Sequence, residues 1–511
     1  MATIPEPQRY DQTGLSKNRG LMHELWLPML LFASAGAVTW AIRGTTGWGG
    51  IDGTIVPGLT WGVLWYYLCW LKGIDSRGIV FWLGMGLSLG GELGYGIYVS
   101  WIQGNFHLGD QVMPVSPWFG YLWFAICGIG WAAPGAIFLG WALSAPATKP
   151  TWALRTLLVA LLIMIVLNRG ASLLGVGVVE WVGTWIAAHH PGLLYPNAYL
   201  GIYDGALRDP QLRIIYTNTQ NFLVLLWWLT ATLVAVMQRD RMTRIASLVI
   251  GGGFGIGFPI SALWCLGYSH APDAVDWWKV WELHSGFNLG IGYAIYYYWY
   301  LRKRKNPPTD PPRTMASFFT VQQSGVLLAL AGFVLIFVSG YEYFFWTGLA
   351  VAVFFVLTLL YATFASGTDD AKTIAHRQRD GLLIFSVFFL LFMLCHGVTS
   401  RAGVVLGIYG DNEIGQYRWP MGRIALFVPL ALALVAGTLV ALARSFRVSP
   451  DTCAPGAPST SPWPLRMFDL LTFIGVVGAA SIWPAKIGVL YALFTGLAIF
   501  ALARINRHFG V

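Results

Sequence analysis

The sequence predicts an all-α integral membrane protein of about fourteen transmembrane helices. Three observations carry that expectation. Of 511 residues, 56% are hydrophobic and only 11% charged, whereas soluble domains run near a quarter charged. Apolar runs of about 20 residues recur along the chain. The loops between them are alternately basic and acidic, which is the positive-inside pattern. The net charge of +9 lies mostly in those short loops, so it is no nucleic-acid footprint.

Taken in order, the apolar runs are centred in 24–43, 54–71, 79–103, 117–146, 152–170, 219–238, 245–268, 280–302, 318–339, 343–365, 381–400, 423–446, 466–484 and 486–505. With the basic start (Arg9, Lys17, Arg19) in the cytoplasm, every second loop is cytoplasmic. Each of those is basic, from Lys72/Arg77 and Lys149/Arg155 through Arg302–Lys305 to Arg377/Arg379 and Arg444/Arg447. Both termini are therefore expected inside, in the cell membrane, as in a bacterial inner membrane. The opposite loops hold Asp52, Asp110, Glu180, Asp276 and Glu282 among many aromatics. The stretch 171–218 is too long for a turn and is expected to fold back as a lid or re-entrant piece.

Helices 1–4 and 5–8 read as two parallel copies of one unit. Ala41-Ile-Arg43-Gly44 closes the first helix and Leu167-Asn-Arg169-Gly170 the fifth. Gly128-Ile-Gly-Trp-Ala132 in the fourth matches Gly290-Ile-Gly-Tyr-Ala294 in the eighth, and glycine runs mark the third and seventh. An even helix count gives both copies one orientation. Arg401-Ala-Gly403 is read as the start of a third, degenerate copy. The divisions expected are 1–302 with the site, a Pro-rich basic linker 303–317, and supporting helices over 318–511. Five scattered cysteines and no Cys/His cluster give neither a disulfide framework nor a metal site, and no cofactor motif is present.

Glu92 lies inside the third apolar run, where a carboxylate costs several kcal/mol unless paired or hydrated; it is a site candidate by default. Gly86, Gly90 and Gly94 beside it form a stripe for close helix approach, and the bland alternative is a structural Glu within that packing. Arg43 and Asp52 flank a glycine-rich turn around Trp48; they either pair with each other, or Arg43 offsets Glu92. Glu282 opens the eighth helix, where the helix dipole already favours an acid. His284 and Asn288, four apart, extend a polar face beyond what a cap needs, although a lone His there is more often a satisfied hydrogen-bonding group.

Carboxylates in unlike surroundings suit glycosidic hydrolysis, since one is kept protonated and the other ionised. Catalytic candidates are thus Glu92, Asp52 and Glu282, with Arg43 and Arg169 tuning them. Trp48, Tyr95, Tyr98 and Trp281, with His284 and Asn288, are the candidates for binding substrate. Most of the 26 Trp and 22 Tyr are explained by interface belts.

The pattern Arg43-Gly…Gly49-Gly50-Ile-Asp52-Gly with Gly90-Gly91-Glu92-Leu-Gly94-Tyr95-Gly96 resembles the polytopic transmembrane glycosidases. The resemblance implies a retaining or inverting carboxylate mechanism on a glycoside or glycolipid at the outer leaflet. It leaves open which of Asp52, Glu92 and Glu282 performs which step. The alternative is a proton- or ion-coupled secondary transporter of a small polar or sugar-like solute, with Glu92 as carrier group and the repeats as moving halves. The expected partners are that small molecule and membrane lipids, with no nucleic acid.

Overall fold

In the computed structural model, residues 20–43, 51–90, 96–108, 111–144, 148–166, 177–194, 209–304, 319–365, 370–405, 421–445 and 485–509 are described. Helix accounts for 89% of them, and nine of the described helices are long and apolar enough to cross a membrane. The described residues are overwhelmingly helical and fit a multi-pass membrane protein. The expected span 466–484 falls outside the described residues.

A π-helical turn, Met22–Trp26, leads into α1 (Leu27–Arg43), and α2 (Ile51–Trp70) follows. The third apolar run is not one helix. It gives α3 (Ile79–Ser88), a turn at Leu89–Gly90, and then α4 (Gly96–Ile102). Glycine costs about 1 kcal/mol against alanine inside a helix, and the run has one at 84, 86, 90, 91, 94 and 96. The Ser88 hydroxyl donates to the Met85 carbonyl at 2.8 Å, and the Ser88 carbonyl accepts from the Thr54 hydroxyl at 3.4 Å. Carbonyls released at a helix end inside hydrocarbon must find such donors within the protein. The glycine stripe does admit a neighbour closely: β-carbons at Gly86 and Gly90 would strike the Pro134 and Trp131 carbonyls.

After α4, strands β1 (Asn105–Leu108) and β2 (Gln111–Pro114) form an antiparallel hairpin with Phe106 opposite Met113. This hairpin lies within the loop expected between helices 3 and 4. Gln103 Nε2 donates to the Cys265 carbonyl at 3.0 Å and anchors its base. Next come α5 (Pro117–Leu143), α6 (Lys149–Val166), α7 (Val178–His189) and α8 (Asp209–Met237). α7 lies inside the stretch expected to fold back, and α8 begins ten residues before its expected apolar run.

The seventh apolar run is also irregular. It passes through α9 (Arg241–Ala246), a π-helical stretch Ser247–Gly252, α10 (Gly253–Ala262), a 3-10 turn Leu263–Leu266 and α11 (Gly267–His270). Three consecutive glycines and Pro259 explain the changes of helical pitch. α12 (Trp277–Arg304) then packs along α1.

Residues Val321–Phe364 form α13, expected as two spans. It doubles back between its apolar halves Val321–Val338 and Trp346–Phe364. A β-carbon on Gly325 would strike Thr363, and one on Gly332 would strike Phe355. In a straight helix Gly325 and Thr363 would stand about 57 Å apart. α14 (Ala371–Val405) starts ten residues before its expected run, and α15 (Met421–Ser445) and α16 (Ala485–Phe509) complete the chain. α16 returns to α1, where the His23 and His508 rings stack at 3.8 Å.

Two polar clusters brace the loops expected in the cytoplasm. Arg77 pairs with Asp75 at 2.9 Å and with Asp380 of α14 at 2.5 Å, while Arg379 reaches Asp75 at 2.9 Å. Arg155 pairs with Asp240 at 2.8 Å, and the Ser144 hydroxyl donates to the same carboxylate at 2.7 Å. Basic loop residues that the charge pattern marks only as topology signals are here also structural ties.

Candidate functional site

The candidate residues fall at or near helix ends that the described contacts join in pairs. Lys279 Nζ donates to the Ala41 carbonyl at 3.2 Å, which joins the start of α12 to the end of α1. Thr54, two positions after Asp52, meets Ser88, four positions before Glu92. These two contacts tie the end of α1 to the start of α12 and the start of α2 to the end of α3. The side chains of Arg43 and Asp52, and all of Trp48, Glu92, Tyr95 and Arg169, lie outside the described residues.

Glu282 is buried at 1% exposure. One carboxylate oxygen accepts from Trp278 Nε1 at 3.0 Å, and the other pairs with Lys279 one turn earlier. Both oxygens are engaged by the helix that bears them, which holds this acid as a neutralised pair. Lys279 is the partner that the sequence reading missed; the expected span began one residue after it.

Trp281 is buried with its ring against Phe124 and Phe258, at 5.6 and 5.4 Å between centroids. Its faces serve packing in this arrangement. His284 Nδ1 accepts from Trp264 Nε1 at 3.1 Å. Asn288 Nδ2 donates to the Gly257 carbonyl at 3.0 Å. That carbonyl is two residues before Pro259, so Asn288 steadies the irregular part of the seventh run.

Tyr98 belongs to a different constellation. It is fully buried, and its hydroxyl donates to Asn218 Oδ1 at 2.7 Å and accepts from Asn221 Nδ2 at 2.9 Å. Both asparagines lie in Thr217-Asn-Thr-Gln-Asn221 of α8, five consecutive residues that are polar, uncharged and buried. The signal was in the sequence, but hydropathy averaging set the span at 219 and left the belt astride its edge. Phe124 joins the two regions, with its ring 5.7 Å from Tyr98 and 5.6 Å from Trp281.

The arrangement therefore has two parts: a self-neutralised ion pair, and a hydrogen-bonding belt beside the interrupted third run. Hydrogen-bond capacity buried without charge suits recognition of a polar molecule in a low-dielectric interior. No family model, no curated protein and no solved structure matches this chain.

Proposed function

We propose that the protein is a secondary transporter that carries a small polar solute across the cell membrane. One observation supports this above others. The third run leaves helical geometry at the Leu89–Gly90 turn, and its later helical segment, through Tyr98, meets a buried belt of uncharged polar residues on α8. Interrupted helices around a polar site within the membrane are the common device of such carriers, because irregular backbone is tolerated there only where it lines protein or a cavity. The seventh run, the counterpart of the third in the proposed repeat, is irregular as well. In this reading both termini are cytoplasmic, the site opens outward, and the interrupted third and seventh runs are the parts that move.

A second reading, a membrane glycoside hydrolase with Asp52 and Glu92 as its acids, draws on the contact between Thr54 and Ser88, which ties the start of α2 to the end of α3. Glu282 favours it less, since Lys279 and Trp278 already occupy its oxygens. Full-length protein in detergent separates the two. A transporter leaves a chromogenic glycoside intact there and moves solute only in sealed vesicles. Release of the chromogen in detergent, abolished by Glu92→Gln, would replace the transporter reading with the hydrolase.

A further inference from the structure

The hydrogen bonds of the α8 belt run in one direction. Tyr98 donates to Asn218 Oδ1, Asn218 Nδ2 donates to the Leu194 carbonyl at 2.6 Å, and Asn221 Nδ2 donates to Tyr98. Each amide nitrogen has an acceptor, which fixes the orientation of both asparagines. Asn221 Oδ1 is left over. It is buried and has no donor among the described residues, and the same holds for Gln220 Oε1 and Thr219 Oγ1. A buried acceptor without a donor costs about 1–3 kcal/mol, and such groups are rare in native structures. Three on successive residues of a helix inside a membrane call for an explanation.

The three do not share one face. Gln220 Nε2 reaches the Ile165 carbonyl at 3.3 Å, and Thr219 faces α7, where a β-carbon on Gly183 would stand 2.8 Å from its hydroxyl. Asn221 alone shares its side with Tyr98 and Asn218. That side adjoins α4, just beyond the interruption of the third run.

Taking the transporter reading as its premise, we infer that the face formed by Tyr98, Asn218 and Asn221 recognises a neutral solute rich in hydroxyl donors, a polyol in chemical class. The open position is an acceptor, so the ligand supplies the donor. An anion, whether or not it keeps an O–H to donate to Asn221 Oδ1, would bring a charge that no cationic group of the belt balances. A cation would be buried beside a belt with no ionisable group of its own to balance it. A polyol gives donors to the orphaned oxygen and carries no charge into hydrocarbon.

The test uses the full-length protein in sealed proteoliposomes, with radiolabelled myo-inositol, glucose and glycerol as neutral probes. Phosphate and methylammonium serve as the charged ones. At least one polyol is expected to enter faster than into protein-free vesicles, with KM raised about tenfold in Asn221→Ala and in Tyr98→Phe. Tyr98→Phe removes a single oxygen, so it keeps the test valid if Asn221→Ala fails to fold. Uptake of phosphate or methylammonium in place of the polyols would overturn the inference and leave the transporter reading standing. Polyol uptake with KM unchanged in both variants would overturn it too. If none of the five enters, this solute class is wrong, and the detergent assay above decides the transporter reading separately.

Discussion

Lys279 and Glu282 lie one turn apart on α12 and form an ion pair with only 5% and 1% of their side chains exposed. Removing one partner from such a pair leaves a lone buried charge, at a cost of about 3–5 kcal/mol, whereas replacing both with apolar groups is often neutral. Glu282→Gln and Lys279→Met are each expected to lower the unfolding midpoint in detergent sharply. The double variant Lys279→Met/Glu282→Leu is expected to recover most of the loss. Equal losses in the double and single variants would mean that the pair contributes through something other than mutual neutralisation.

Asp75 gives a pH prediction. Burial works to raise its pKa, but hydrogen bonds and charge from Arg77, then the charge of Arg379, hold it well below the usual carboxylate range. A depressed folded value gives stability that is complete above the unfolded value of about 4 and is lost as pH falls towards the folded one. The first turns of α14 should therefore stay docked on the 71–78 turn at neutral pH and loosen only in acid. Hydrogen exchange over 371–380 reads this directly. Asp75→Asn should exchange faster at neutral pH and show a smaller further rise in acid, the part left to the Arg77–Asp380 pair.

Glycine at the crossing of α1 and α12 gives a packing prediction. A β-carbon on Gly286 would strike the Gly36 carbonyl, and one on Gly290 would strike the Phe32 carbonyl. Backbone cannot yield as a flexible side chain can, so Gly286→Val is expected to cost about 1–3 kcal/mol or more. Gly437→Ala on α15, with nothing within 4 Å, should leave the unfolding midpoint unchanged or raise it slightly.

Orientation is testable with two exposed positions, His107 in the β1 strand and Thr148 before α6. In a Cys453→Ser background, His107→Cys should react with a membrane-impermeant maleimide on intact cells, and Thr148→Cys only after lysis. The cysteines at 69, 127, 265 and 395 are buried, so they add little background. The reverse pattern would invert the proposed topology.

Much of the helical architecture was legible because a bilayer demands long apolar runs, and these leave a strong trace in sequence. The local breaks were not. Gly86 and Gly90 were read as a packing stripe, which they are, but the same glycines also weaken the helix that carries them. Thr217–Asn221 went unread because averaging over about 19 residues hides five polar ones beside a strongly apolar stretch. Lys279 stood three residues from Glu282 in plain view, yet a window placed by hydropathy excluded it. The β hairpin too was foreshadowed: Phe106 and Leu108 alternate with His107 ahead of Gly109-Asp110, a turn signal in a segment too short for hydropathy to register.

Where α1 and α12 cross, Gly36 and Gly286 meet main chain to main chain and Gly290 rests on the Phe32 carbonyl, with the Trp61 ring and the Trp40 side chain packed hard against the same point. Two helices joined in that way cannot slide or roll past each other by small steps. They must travel as one body, although they come from opposite ends of the first three hundred residues. Any opening and closing of this molecule therefore has to be sought at its other seams, around the interrupted third and seventh runs, with this pair as the fixed reference.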